Sequence, residues 1–314
     1  MNNIIFCAYA YKECLKTGKN IKRLDRQREI YLKNSSVALI SAKKYNPDDT
    51  VMLITNLDRS SISIDMLKLL ESSGVVIKTV PFEDFQMSNG DAWGLAFYKL
   101  NALSYVAKCG FDNICCIDTD VVIQGSFANI WRECEYKILM LDIIHGLGTP
   151  DYVELCKEYG ELEFTSTSYP THFGGEFYAS NSANLLYFIR KCEEVYSKIK
   201  ELKIQTNFGD EFISCIVANE FGLPVKNAAP YVERFWTSGG FRLVSDHYIN
   251  NSVVALHLPN EKENGILKIY DMIFYGKYPS LRYIYRICRL SHIPFIDKIK
   301  IFIRNFPKLY GDDN

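Results

Sequence analysis

The chain has 314 residues, 48% of them hydrophobic and 23% charged, which are the proportions of a soluble globular protein with ample material for a core. Its net charge of −1 and the absence of a binding motif argue against a nucleic-acid partner, and no run of about 18 apolar residues exists to span a bilayer. Ten cysteines are scattered without a Cys-x-x-Cys pair, and adjacent Cys115 and Cys116 point to opposite faces of a strand, so reduced core thiols are expected rather than a disulfide framework or a zinc site. The N-terminus enters an apolar run without a basic leader, so the expectation is a cytoplasmic protein lacking a secretory signal.

In chain order, Asn3 to Ala10 reads as a buried strand and Leu24 to Lys44 as a helix. Asp49 to Asn56 is a second strand, a helix follows near Ile64 to Glu71, and Val75 to Pro81 is a third strand. Such alternation predicts a mainly parallel α/β sheet covered by helices, with ligands gathering at the carboxyl ends of its strands. Cys7, Ala8 and Tyr9 at the first strand end and Asn56 at the second are therefore candidate ligand-binding residues. Neither a Gly-x-Gly-x-x-Gly nor a Walker loop is present, which speaks against a dinucleotide enzyme or a P-loop nucleotidase.

The most informative stretch runs from Trp93 to Trp131. Apolar residues three and four apart predict a helix over Trp93 to Ala107 with Lys99 toward the core and Gly110 ending it. The run Ile114-Cys115-Cys116-Ile117 reads as a strand buried on both faces, followed by Asp118-Thr119-Asp120 and a second apolar run, Val121-Val122-Ile123. Residues two apart in an extended chain share a side, so Asp118 and Asp120 can converge on one cation. Carboxylates beside buried hydrophobics need such compensation, and oxygen ligands suit Mg²⁺ or Mn²⁺.

Residues 132 to 170 look less regular, broken by Gly146, Gly148 and Pro150. The stretch from Tyr169 to Asn181 reads as an apolar strand in which adjacent Gly174 and Gly175 suggest close approach by a ligand or another backbone. A helix is expected from Ala183 to Lys203, and Asn207-Phe208-Gly209-Asp210-Glu211 opens another, Phe212 to Glu220, with Asp210 a possible N-cap. A late strand, Asn251 to Leu258, carries His257, and Lys262 follows it.

Together these residues resemble the retaining glycosyltransferases of the GT-A fold, most closely the glycogenin-like family 8. The resemblance covers most of residues 3 to 265. Tyr98-Lys99-Leu100-Asn101-Ala102-Leu103 is similar to the family's lysine-bearing helix, and Asp118-Thr119-Asp120 to its DxD strand. Phe173-Gly174-Gly175-Glu176-Phe177 sits where the family has an acceptor-side strand, and Gly209-Asp210-Glu211 where it has Asp-Gln at a helix start. His257 and Lys262 are similar to its His…Lys-Pro-Trp motif, although the spacing is one shorter and Pro-Trp is absent. Phe-Gly-Gly and Asp-Glu look instead like the blood-group-type α-galactosyl and N-acetylgalactosaminyl transferases, in which the Glu is the proposed nucleophile.

The resemblance implies a hexosyltransferase that uses a nucleotide sugar, expected to be a UDP-hexose, with Mn²⁺ or Mg²⁺ held by Asp118, Asp120 and His257. Donor binding would fall to Cys7, Ala8, Tyr9, Asn56, Lys99, Asp118, Thr119, Asp120 and Lys262. His172, Gly174, Gly175, Glu176 and Trp236 would line the acceptor side, with Glu211 as nucleophile or ion-pair stabiliser, Asp210 on sugar hydroxyls and Lys99 offsetting leaving-group charge. An inverting enzyme on the same fold would use Asp210, Glu211 or Glu176 as general base, and a non-catalytic nucleotide-sugar-binding protein is the competing class.

The last segment is distinct in charge. From Lys277 to Lys308 eight Lys or Arg face Asp297 alone. Interleaved apolar residues predict two basic amphipathic helices divided by Pro294. The expected division is therefore a catalytic domain over 1–276 and a tail over 277–314. Either the tail lies on an anionic membrane, at the inner face where a glycan or lipid-linked acceptor for cell-surface polysaccharide would sit, or its helices dock on the core with a solvated basic face.

Overall fold

A computed structural model describes residues 1–12, 26–86, 93–144, 146–162, 165–237, 253–290 and 299. The strands are β1 (Asn3–Tyr9), β2 (Thr50–Thr55), β3 (Val75–Thr79), β4 (Asn113–Ile117), β5 (Val121–Ile123), β6 (Ile138–Asp142), β7 (Phe173–Asn181), β8 (Val225–Asn227), β9 (Val232–Arg234) and β10 (Ala255–His257). The helices are α1 (Gln27–Tyr45), α2 (Ile64–Ser72), α3 (Tyr98–Ala107), α4 (Ala128–Cys134), α5 (Pro150–Gly160), α6 (Ser182–Leu202), α7 (Asp210–Glu220), α8 (Gly265–Phe274) and α9 (Leu281–Ile287).

Seven strands form one sheet in the order β3-β2-β1-β4-β7-β6-β8, and β5-β10-β9 form a second, smaller sheet. In the large sheet only β7 pairs antiparallel with its neighbours, so the sheet is mixed and mainly parallel, as the strand–helix alternation predicts. The continuous apolar strands exist because both faces are covered. On β1, Ile5, Cys7 and Tyr9 join the core beneath α1, whereas Ile4 and Phe6 join the core beneath α3, α6 and α7. Ile114 to Ile117 on β4 are similarly buried, each aliphatic side chain contributing roughly 1.5–3 kcal/mol.

Three features differ from the sequence expectation. Among its described residues, the segment 132–170 contains the end of α4 with β6 and α5, separated by turns. Gly146 and Gly148 fall in the β6–α5 connection, and Pro150 occupies the first turn of α5, where its fixed φ suits a helix start. Their effect is to punctuate the elements. Second, α3 begins at Tyr98, because Trp93 to Phe97 close turns through three-residue bonds such as Ala96 N–H to Trp93 O (2.8 Å). Apolar spacing of three serves such turns as well as an α-helix. Third, β8 and β9 have three residues each, too short to show a period.

The position of β5 is fixed by α1. Ser41 accepts a hydrogen bond from Ile123 N–H (2.9 Å), satisfying a strand donor with a helix side chain. At the far end of the chain, Ile284, Cys288 and Leu290 are buried in the core that α1 and α8 share, while Arg282 and Arg286 are exposed. Up to Leu290 the basic segment is therefore a docked helix with a solvated face. The expected second helix, beyond Pro294, lies outside the described residues apart from Ile299. Among the described residues no helix is long and apolar enough to cross a membrane.

Candidate metal centre and charged cleft

Three strand registers assemble the site. The β4–β7 pairing continues past Ile117 and Phe177, with Asp118 N–H donating to Glu176 O (3.0 Å). The β5–β10 pairing sets His257 opposite Val121, and Leu258 N–H donates to Asp120 O (2.9 Å). The β10–β9 pairing then sets Arg234 beside His257. Residues distant in sequence thereby meet at the carboxyl end of β4.

Asp118, Asp120 and His257 offer ligand atoms that all lie within 4.8 Å of one another. His257 Nε2 is 3.3 Å from Asp120 Oδ2 and 3.9 Å from Asp118 Oδ2. Its other nitrogen, Nδ1, is 3.2 Å from Glu176 Oε1. A carboxylate behind a histidine is the arrangement that orients a metal-ligating imidazole. With Nδ1–H directed at Glu176, Nε2 presents either a second proton or a lone pair facing two carboxylates, and a cation between them resolves the second case. Asp120 Oδ1 is buried without a hydrogen-bond partner among the described residues, whereas Asp118 is partly exposed and opens the site to solvent. These residues fit a metal ion.

The surroundings are densely charged. Arg234 holds Glu176 through two bonds, Nε to Oε1 at 2.7 Å and Nη2 to Oε2 at 2.6 Å, and its Nη2 is 3.5 Å from Glu211 Oε1. Lys262 Nζ donates to Asp120 Oδ2. Lys99 Nζ donates to Gly175 O (2.5 Å) and lies 3.5 Å from Asp210 and 3.8 Å from Asp118, bridging the candidate metal cluster to the start of α7. Glu211 accepts from Gly175 N–H (2.9 Å) and sits 3.5 Å from His172 Nε2. Five carboxylates (Asp118, Asp120, Glu176, Asp210, Glu211) thus meet three permanent cations (Lys99, Arg234, Lys262).

Protonation follows from this packing. Burial would raise Asp120, but Lys262 and then His257 outweigh it and keep the carboxyl well below its usual range. Burial likewise opposes ionisation of Glu176, and Arg234 and His257 overcome it. Burial disfavours the charged form of His257, yet Asp120 and Glu176 prevail and lift it to about 9. Asp210 goes the other way: burial raises it, Lys99 only partly offsets this, and Glu211 and Asp118 add to the rise, to about 7. Glu211 is depressed because the His172 and Arg234 contacts outweigh its burial.

Several residues singled out in the sequence have the following surroundings. Asp210 does not cap α7; the N-cap is Gly209, in a positive-φ conformation, and Asp210 is the buried first helical residue. Gly174 and Gly175 accommodate charged side chains of the protein itself. A Cβ on Gly174 would overlap the Glu176 carboxylate and come within 2.5 Å of Arg234 Nη2, and one on Gly175 would sit 3.0 Å from Asp210 and Lys99. Glu176, expected on the acceptor side, is buried behind His257 and held by Arg234. Cys7, expected at the donor, is fully buried with its thiol against Asp118 O (3.6 Å), and burial pushes that thiol up. Asn56 pairs its side chain with the backbone of Tyr11 (2.8 and 3.0 Å), closing the turn after β1.

Other expected residues lie close by. Tyr9 is buried and stacks on Tyr31 (5.5 Å between ring centres), and Ala8 is half-buried beside it. Thr119 bonds Asp118 Oδ1 through its backbone N–H (3.0 Å) and leaves its hydroxyl buried without a hydrogen-bond partner among the described residues. His172 packs edge-on against Phe208, and Trp236 is half-buried two residues beyond Arg234. Arg234 joins this charged cluster without having been singled out by sequence; a lone arginine in a three-residue strand carries no spacing signal.

Gly174→Ala is expected to destabilise the fold by about 1–3 kcal/mol through overpacking and to weaken metal binding by displacing Glu176 from His257. Thermal unfolding and Mn²⁺ titration of the variant measure both effects. Wild-type values for both would exclude the tight Gly174–Glu176–Arg234 packing.

No family profile matches the chain, and no curated protein does.

Proposed function

We propose that this protein is a metal-dependent glycosyltransferase of the GT-A type. In this reading it moves a hexose from a nucleotide sugar, a UDP-hexose, to a glycan acceptor with retention of configuration. The observation that carries the proposal is the Asp118–Asp120–His257 cluster joined through Lys99 to the Asp210–Glu211 pair. One end suits a diphosphate-bound cation, and the other supplies carboxylates within the same charged cleft.

A divalent cation held by Asp118, Asp120 and His257 Nε2, with Mn²⁺ and Mg²⁺ the best matches to oxygen-rich ligands, would supply Lewis acidity toward the departing diphosphate. Lys262 and Lys99 carry the positive charge that offsets what builds up on the leaving group. Glu211 is the carboxylate best placed for the sugar. It is held ionised and its side chain is about a quarter exposed, whereas Asp210 and Glu176 are buried. As nucleophile it would form a bond to the anomeric carbon as the bond to the nucleotide oxygen breaks; as ion-pair partner it would face the developing oxocarbenium charge. Gly175 N–H, His172 and Arg234 orient it.

A second reading is an inverting enzyme with Asp210 as general base. Its favouring observation is that burial lifts the Asp210 carboxyl to about 7, close to the working pH that suits proton transfer.

The test is a thermal-shift and hydrolysis screen of nucleotide sugars with and without Mn²⁺, since a native-state ligand raises the melting temperature. A metal-dependent rise with one UDP-sugar and slow release of UDP is the expected result. No shift with any nucleotide sugar in the presence of metal would overturn the proposal in favour of a non-catalytic role.

The pH response of the metal-free protein is a further expectation. His257 and Asp210 both have raised folded-state values, so each contributes stability that is complete below its unfolded value and lost as pH rises through the folded one. Melting temperature should therefore fall from about pH 4 to 7 through Asp210 and from about 6.5 to 9 through His257. Mn²⁺ must displace the His257 proton, so its affinity should climb by up to about tenfold per pH unit below about 9. A pH-independent Mn²⁺ affinity between about 6 and 8 would remove His257 from the ligand set.

A further inference from the structure

The chain end is wired into this cleft. Lys262 follows the short 3₁₀ turn Pro259–Glu261, and Glu261 is fully buried. Its carboxylate accepts from Arg289 Nε (2.7 Å), with Arg289 Nη2 in ion-pair contact with the same oxygen (2.5 Å), from Thr237 Oγ1 (2.5 Å) and from Gly265 N–H (3.1 Å) at the start of α8. Among the described residues, Arg289 is the cation within ion-pair distance of Glu261.

Arg289 lies just beyond α9 with φ of 61°. Leu290 N–H donates to Tyr285 O (2.8 Å) and Arg289 N–H to Arg286 O (3.3 Å), the paired bonds of a helix end whose left-handed position favours glycine. Backbone geometry asks for glycine there, and a Cβ makes the conformation unfavourable. The chain carries instead a long cation whose Nε–H donates to a buried carboxylate oxygen that Nη2 also contacts as an ion pair.

We propose that Arg289 is a positioning residue for Lys262. By neutralising and anchoring Glu261 it fixes the turn that presents the Lys262 ammonium to Asp120 and, in the occupied site, to a diphosphate. Without Arg289 the buried Glu261 charge lacks its counterion. Lys262, the next residue, is then drawn from Asp120 toward that charge. The inference rests on the metal–diphosphate reading of the site.

The experiment measures the affinity of the full chain for Mn²⁺ alone and for inorganic pyrophosphate in saturating Mn²⁺. The variants are Lys262→Ala, Arg289→Gly, the two combined, and Arg289→Lys, which keeps charge but not the fork. Lys262→Ala removes the ammonium that competes for Asp120, so it should bind Mn²⁺ more tightly and pyrophosphate more weakly, each by roughly threefold or more. Arg289→Gly should shift both affinities in the same two directions, and the double variant should add little beyond Lys262→Ala. Arg289→Lys should show a smaller change of the same sign, which keeps the test decisive even where Arg289→Gly folds poorly. A merely structural arginine would lower the melting temperature and weaken both ligands together, additively with Lys262→Ala; that pattern, or wild-type affinities in both Arg289 variants, would overturn the proposal. If Lys262→Ala itself changes neither affinity, the metal–diphosphate reading fails first and the inference falls with it.

Discussion

Asp120→Asn is expected to lower Mn²⁺ affinity by at least about 100-fold and to remove metal-dependent nucleotide-sugar binding, because the amide keeps the shape of the ligand but not its charge. Asp120 is also the buried counterion of both Lys262 and His257. Leaving buried cations uncompensated costs about 3–5 kcal/mol, so the variant should melt roughly 6–20 °C below wild type. The two effects separate in a second protein. Asp120→Asn combined with Lys262→Met removes the orphaned ammonium and should recover much of the melting temperature without recovering Mn²⁺ binding. Isothermal titration and calorimetry on the three proteins check this. Metal-dependent affinity retained in Asp120→Asn would exclude the site.

Glu211→Gln is expected to have the complementary signature. The Gly175 N–H still has an acceptor, and the metal ligands are untouched, so Mn²⁺ affinity should stay within about twofold of wild type. Transfer should fall by about 10³-fold or more, since the neutral amide can neither attack the anomeric carbon nor face its developing charge. Steady-state rates and Mn²⁺ titration on the same preparation read the two quantities. A rate within about tenfold of wild type would move the chemistry to Asp210, whose variant Asp210→Asn is the natural comparison.

Local pattern made much of this molecule legible. The buried strands β1, β2 and β4 announce themselves as apolar runs, because a strand covered on both faces has no solvent side to mark with polar residues. Asp118 and Asp120 stand out for the same reason, as charges directly after such a run. Lys99 was readable as a core-facing lysine within an apolar helix, and His257 as a histidine closing a late strand. By contrast, β8 and β9 are too short to show periodicity, and the elements between 132 and 170 hid behind glycines and a proline that only mark their ends.

What the sequence alone determined is the longer buried elements and the candidate cluster Asp118, Asp120 and His257, since both rest on residue type and on neighbours within a few positions. What only the tertiary structure decided is which charge faces which. Glu176 turned from an acceptor-side candidate into the carboxylate that orients His257, and Gly174 and Gly175 into space for charged side chains. Arg234 and Arg289 emerged as the cations that hold Glu176 and Glu261. The physical reason is that a buried charge is viable only beside its partner, and each partner here is brought by a different strand register or helix end from 28 to 142 positions away.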